Sequence, residues 1–251
     1  MALIEATFFS PAIQKQVQLK AIVPDTGTGP FPVFYLLHGY SDDHSIWLRR
    51  TRIEMYVHEL PLIVVMPDGL NGFYTDHEEG PAYGRYMIED VIGFVERVLP
   101  VKKDRSARCV GGLSMGGYGA LRLALAHPDV FVSATSHSGA AGLNADQVGE
   151  ERRAAFKRIF GSEYRGTKHD VVALAEKVKK SARHKPKLRI DCGRDDTLFK
   201  NNQALHAALE KMGYKHEYAE FPGDHNWDYW DEHIREALEF HCKALGVEKQ
   251  G

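Results

Sequence analysis

Apolar and polar residues along this chain repeat with two different periods. Ile4–Ser10 and Gln14–Val23 alternate at every second residue and predict two antiparallel strands. The stretch Pro24-Asp-Thr-Gly-Thr-Gly-Pro30 is a turn after the second of them. Val33-Phe-Tyr-Leu-Leu37 is a continuous apolar run, as expected of a central strand covered on both faces. Leu62–Met66, Ala107–Val110, Val130–Ser136, Lys187–Cys192 and His216–Phe221 predict further strands. Helical spacing lies between them, near Ile46–Glu59 and Arg85–Val98, and from Tyr118 to His127, where Pro128 ends it. A helix follows Leu198, and a last helix carries His233 and His241. Strands alternating with helices predict an α/β chain with a mostly parallel, doubly wound sheet and helices on both faces.

One short motif adds chemistry to this pattern. Gly112-Leu-Ser-Met-Gly116 reads G-x-S-x-G, a nucleophile elbow, with a strand ending at Val110 before it and a helix after it. The spacing has a steric reason. A serine presented on a sharp strand-to-helix turn strains the backbone, and the residues two before and two after must be tiny. Gly112 and Gly116 meet that need, and Gly111, Gly117 and Gly119 leave more room. Ser114 is therefore the candidate nucleophile.

A base and an acid should follow it, in the order acid and then histidine. Lys187–Cys192 runs into Gly193-Arg-Asp-Asp196, where a carboxylate can hang over the sheet edge. Asp196, three residues past the glycine, is favoured over Asp195. Both could instead cap the helix that follows. Asp191 lies inside the strand and is read as structural or surface. Of the 13 histidines, His206, His216, His225, His233 and His241 follow Asp196. Only His225 sits in a loop after the last strand and before the last helix, so it is the candidate general base. For the oxyanion, the backbone N–H groups of Met115 and of Tyr40, just past His38-Gly39, are the expected donors. His38 itself is read as a structural residue of that loop.

The pieces Leu36-Leu-His-Gly-Tyr40, Val64-Val-Met-Pro-Asp68, Asn71-Gly-Phe-Tyr-Thr75, Gly112–Gly119, Cys192-Gly-Arg-Asp-Asp-Thr-Leu-Phe199 and His225-Asn-Trp227 occur in this order. Together they resemble the esterase D-like branch of the α/β-hydrolases, closest to bacterial tributyrin esterases and cinnamoyl or feruloyl esterases. The resemblance runs from near residue 3 to about residue 245. It implies an α/β-hydrolase fold and hydrolysis of carboxylic esters through an acyl-enzyme. S-formylglutathione hydrolases are related but differ at the loop where His38-Gly39 stands.

Length and composition suit one compact enzyme domain over residues 1–251. The segment from Gly139 to Lys185 is long for a single crossover, and Glu150–Phe160 and Asp170–Ala182 look helical within it. It is read as a small helical cap over the active-site face, the alternative being a connecting helix with an extended loop. A formal net charge of −2 implies neither a nucleic-acid surface nor an anionic-membrane patch. The cluster from Lys177 to Lys185 is read as a solvated helix face. No signal peptide and no membrane-spanning stretch is visible. Three widely spaced cysteines suggest a reducing compartment, so a cytoplasmic location is expected. No recognisable metal-ligand spacing occurs, and no cofactor is implied. Self-association as a homo-oligomer is left open.

Trp47, Phe73, Tyr74, Trp227 and Trp230 are candidates for the pocket wall, each also readable as core. The reading is a serine carboxylesterase for short acyl or small aryl esters. Its alternatives are a thioesterase or acyltransferase using the same residues. A non-catalytic binding protein of this fold would usually lack one member of the triad.

Overall fold

The computed structural model describes residues 1–143, 147–181 and 183–248. One sheet of eight strands organises them: β1 (Ala2–Ser10), β2 (Lys15–Val23), β3 (Val33–Leu37), β4 (Ile63–Pro67), β5 (Arg108–Leu113), β6 (Ser133–His137), β7 (Lys187–Gly193) and β8 (His216–Phe221). Their spatial order is β1-β2-β4-β3-β5-β6-β7-β8. β2 pairs antiparallel with both β1 and β4, and every pair from β4 onward to β8 is parallel. β3 thus lies between β4 and β5. The chain leaves it to one side and returns on the other, and ligand crevices form at such switch points.

Helices cover both faces: α1 (Ile46–Arg50), α2 (Ile53–Val57), α3 (Tyr83–Arg85), α4 (Ile92–Val98), α5 (Met115–Ala126), α6 (Glu150–Phe160), α7 (Val171–Ser181), α8 (Phe199–Met212) and α9 (Trp227–Leu245). The period-2 geometry of a strand separates their cores. In β3, Val33, Tyr35 and Leu37 face the layer of α4, α5, α7 and α8, whereas Phe34 and Leu36 face α1, α2 and α9. β4 divides the same way, with Ile63 and Val65 on one side and Val64 and Met66 on the other. The uninterrupted apolar runs follow from this, because both faces bury about 1.5–3 kcal/mol per large side chain. Among the described residues, no helix is long and apolar enough to cross a membrane.

Several expected elements differ: β1 begins two residues earlier, at Ala2, and β5 runs three residues further, to Leu113. The helix expected over Ile46–Glu59 is two helices, because Thr51 is extended. Its hydroxyl bonds Trp47 O and accepts from Ile53 N, while Arg52 N–H donates to Asp231 Oδ1 at 2.7 Å. The helix expected at Arg85–Val98 begins two residues earlier and passes through a π-helical stretch, Tyr86–Val91, between α3 and α4. β6 starts three residues later than expected and ends at His137.

Residues 139–185 hold two helices with different neighbours. α7 packs in the helix layer beside α5 and α8. α6 lies instead over the C-terminal end of the sheet, where Phe156 and Ile159 border a cavity beside Ser114. Residues 144–146 and Ala182 of this segment lie outside the described residues.

α9 carries a fully buried histidine against the sheet. His241 lies within hydrogen-bond distance of Ser133 Oγ (2.8 Å) and Thr135 Oγ1 (3.0 Å), with its ring 4.6 Å from that of Phe34. Burial pushes its pKa down to about 3. An unfolded histidine titrates near ~6.5, so below that pH the unfolded chain binds a proton that the native state refuses. Stability attributable to His241 is therefore lost as pH falls from about 6.5, by at most about 1.4 kcal/mol per unit. Urea unfolding of wild type and His241→Gln between pH 7 and 5 should show the variant losing less stability on acidification. Parallel pH profiles would contradict this.

Candidate active site

The sharp turn at Ser114 places its side chain between β5 and α5. The residue has φ 51° and ψ −115°, a conformation L residues rarely adopt. Ser114 N–H donates to His137 O (2.9 Å), and Ser114 O accepts from Tyr118 N and Ala140 N (both 3.0 Å). Gly112 and Gly116 are needed for close approach. A Cβ on Gly116 would stand 2.6 Å from the carbonyl oxygens of Leu37 and His38. One on Gly112 would stand 2.6 Å from Leu37 O and 2.8 Å from the Gly116 carbonyl carbon. Backbone atoms from three segments meet there, and none can yield cheaply.

The structure brings the three candidate triad residues together. His225 Nε2 lies 3.1 Å from Ser114 Oγ, and its Nδ1 lies 2.9 Å from Asp196 Oδ2. The Asp196 side chain is fully buried, whereas that of His225 is 27% exposed. Burial pushes the Asp196 carboxyl upward, but hydrogen bonds from His225, Ser138 and the Leu198 N–H outweigh it, and its pKa falls below the ordinary carboxylate value. Capping and triad geometry coexist in this residue, since Asp196 Oδ1 also accepts from Leu198 N at 2.7 Å. The Asp195 side chain is exposed to solvent. Asp191 is buried and accepts from Tyr229 Oη at 3.0 Å, next to His137 Nδ1 at the same distance.

Loops at the strand ends place the other groups. Tyr40 and Met115 border the same cavity as Ser114. Among the described residues, neither of their backbone N–H groups has a protein acceptor. His38 is structural: its Nε2 accepts from Gly69 N (2.8 Å) and its Nδ1 donates to Gly39 O (2.8 Å). Together they pin the loop that carries Tyr40.

The cavity is about 440 Å³. Phe73 is its aromatic hub, 5.9 Å from the Tyr40 ring, 5.1 Å from Phe160 and 6.2 Å from Phe156. The other four aromatic candidates are not in the wall, and each has a physical reason. Trp47 is buried in the second core, its Nε1–H donating to Leu37 O at 3.0 Å. Trp227 packs edge-on against Trp47 and Trp230. Trp230 stands edge-on to the His225 ring at 4.9 Å and so supports the imidazole from behind. Tyr74 is fully buried; its hydroxyl bonds both the N–H and the carbonyl of His38, and its ring fills the space left by Gly69 and Gly119. The wall is completed by residues the sequence reading did not single out. Phe156 and Ile159 of α6 line it, with Arg152, Arg158 and Glu79 also bordering it. The apolar stripe Phe156, Ile159 and Phe160 was the available signal. The Arg152 guanidinium lies over the Tyr40 ring at 4.8 Å, joining α6 to the loop beneath it.

A strained serine above a parallel sheet, in hydrogen-bond reach of a histidine that an aspartate holds, defines a serine hydrolase of the α/β-hydrolase fold. The family model described as "Putative esterase" matches residues 10–241. An acetyl esterase of Caldicellulosiruptor saccharolyticus is 33% identical over 97% of this chain and 99% of its own length. Two solved structures are similar over 96% of this chain and 98% of theirs. One is the substrate-bound fluorophosphonate-binding serine hydrolase FphF of Staphylococcus aureus, at 32% identity and TM-score 0.87. The other is an S-formylglutathione hydrolase from the same organism, at 31% identity and TM-score 0.85. This chain belongs to that esterase family, on the esterase D-like branch, and is a carboxylic ester hydrolase.

The two aspartates of the Asp195-Asp196 turn are separable by experiment. Asp196→Asn should lower kcat on the order of 10⁴-fold, through loss of the histidine tautomer that accepts the serine proton. Asp195→Asn should stay within a few fold of wild type. Steady-state kinetics on both variants, with folding checked by circular dichroism, would place the acid at Asp195 if the ranking reverses.

Proposed function

We propose that this protein hydrolyses esters of short acyl chains or compact aryl acids through an acyl-enzyme on Ser114. The observation that carries this reading is the Ser114–His225–Asp196 relay, with Ser114 at a cavity that Phe73, Phe156 and Ile159 line. His225 Nε2 takes the proton as Ser114 Oγ attacks the ester carbonyl carbon. Asp196 holds Nδ1–H and stabilises the imidazolium. The N–H groups of Tyr40 and Met115 receive the oxyanion. The alcohol leaves with a proton from His225. Water, deprotonated by the same imidazole, then releases the acid.

The cavity supports a short-chain preference. Phe73, Phe156 and Ile159 offer an apolar wall to an acyl group, and α6 stands above it. The acetyl esterase relative points the same way. The S-formylglutathione hydrolase neighbour favours a second reading, a small acyl thioester as substrate, because the same acyl-enzyme serves both. Transfer of the acyl group to an alcohol or thiol uses the same residues. A cytoplasmic setting fits the buried thiols of Cys109 and Cys192.

A panel of nitrophenyl esters of increasing chain length, with hydroxycinnamate esters and an acyl-glutathione thioester, tests the reading. Each methylene buried is worth about 0.8 kcal/mol until the cavity ends. kcat/KM should peak at roughly two to six acyl carbons and fall beyond. A value rising through twelve or more carbons, or a jump above the substrate's micelle threshold, would favour a lipase instead. A thioester turned over far faster than every oxygen ester would move the assignment to the thioesterase reading.

A further inference from the structure

At the opposite end of the sheet from Ser114, three side chains converge without serving the hydrolytic site. His206 and Glu210 stand one turn apart on α8 and share a face. His216 opens β8, the edge strand beside that helix. One ligand atom from each of the three lies within 4.8 Å of the others. His216 is oriented for ligation. Its Nδ1–H donates to Tyr214 O at 2.8 Å, which leaves the Nε2 lone pair pointing at His206 Nδ1, 2.8 Å away. A second hydrogen bond of this kind is how metal-binding imidazoles are commonly held in one tautomer. The His206 ring is fixed too, stacked on Tyr218 with centroids 4.2 Å apart and planes 8° from parallel. Glu210 is exposed, and among the described residues its carboxylate has no hydrogen-bond or ion-pair partner.

We propose that His206, Glu210 and His216 form a binding site for one zinc-type transition-metal dication, clamping α8 to the edge strand β8. Two imidazoles and one carboxylate are a borderline donor set, suited to zinc and its neighbours and not to calcium or magnesium, which take oxygen ligands. In the metal-free protein, His206 Nδ1–H donates to His216 Nε2. On binding, the His206 proton moves to its Nε2, both facing lone pairs turn to the ion, and no net proton is released. Zinc–nitrogen bonds of about 2.0–2.1 Å at a tetrahedral angle need the two nitrogens about 3.3 Å apart, so a small side-chain adjustment opens the site. Glu210 supplies the third bond, and the exposed position leaves water for the fourth. The ion would sit where β8 begins, whereas His225 follows the end of that strand, so the site is independent of the hydrolytic reading.

The test is calorimetric titration of tag-free full-length protein with zinc, alongside thermal unfolding at matched free zinc. Wild type should bind one zinc per chain and gain roughly 3 °C or more in Tm at saturation. Calcium and magnesium should give neither heat nor shift. Combined His206→Asn and His216→Asn should abolish both effects. Glu210→Gln, an exposed change that spares the fold, should weaken zinc binding at least about tenfold. Zinc bound with equal stoichiometry and affinity by the double variant would overturn the proposal. So would a wild type that takes up no zinc at micromolar concentrations, an equal response to calcium, or an unchanged affinity in Glu210→Gln.

Discussion

Everything at the candidate active site hangs on one strained residue. Ser114 holds φ 51° and ψ −115° between a buried strand and a buried helix. Such a conformation costs on the order of 1–3 kcal/mol and persists only where its surroundings over-determine it. Here the Ser114 N–H is bound by His137 O, and its carbonyl by two N–H groups. Gly112 and Gly116 let β5, α5 and the end of β3 meet with no room for a Cβ. The same crowding brings Met115 and Tyr40 beside Ser114, because the helix start and the β3 loop are pressed together. The strain, the placing of the Ser114 hydroxyl and the nearness of the Tyr40 and Met115 N–H groups thus share one steric cause.

The cavity has a different origin. Its wall is not built by the sheet but by α6 closing on loop residues through aromatic contacts. Phe73 sits at φ 51° and meets Tyr40, Tyr118, Phe156 and Phe160 edge-on or tilted. Edge-to-face pairs of this kind contribute beyond simple area burial, about 0.5–1.5 kcal/mol each. Arg152 over Tyr40 adds a cation–π contact at the cavity rim. The α6 position is therefore coupled to the loop that carries Tyr40, and changes to Phe156 should be felt at Ser114 as well as in the cavity.

The sheet and the convergence of Ser114, His225 and Asp196 were legible in the sequence because each rests on a local rule. Continuous apolar runs mark strands covered on both faces, glycines flank the elbow serine, and His225 is the histidine placed in a loop past the last strand. Of the pocket wall, Phe73 alone among the five aromatic candidates was legible. Trp47, Tyr74, Trp227 and Trp230 have the right composition, but which way a side chain points depends on tertiary packing. Tyr74 faces inward to fill Gly69 and Gly119, and Trp47 donates to a strand carbonyl. The break at Thr51 was hidden for a similar reason: its partner Asp231 lies 179 residues from Arg52. The His206–His216 pairing joins a helix to a strand and carries no ligand spacing that a sequence motif would show.

The central claim is that Ser114, and no other serine, is the residue that His225 activates. Peptide mapping by mass spectrometry after treatment with a fluorophosphonate reads this directly. The adduct should be found on the peptide holding Gly112–Gly116, at Ser114, and His225→Ala should slow its formation by orders of magnitude while leaving the protein folded. An adduct on a different serine, or unchanged labelling without His225, would contradict the account.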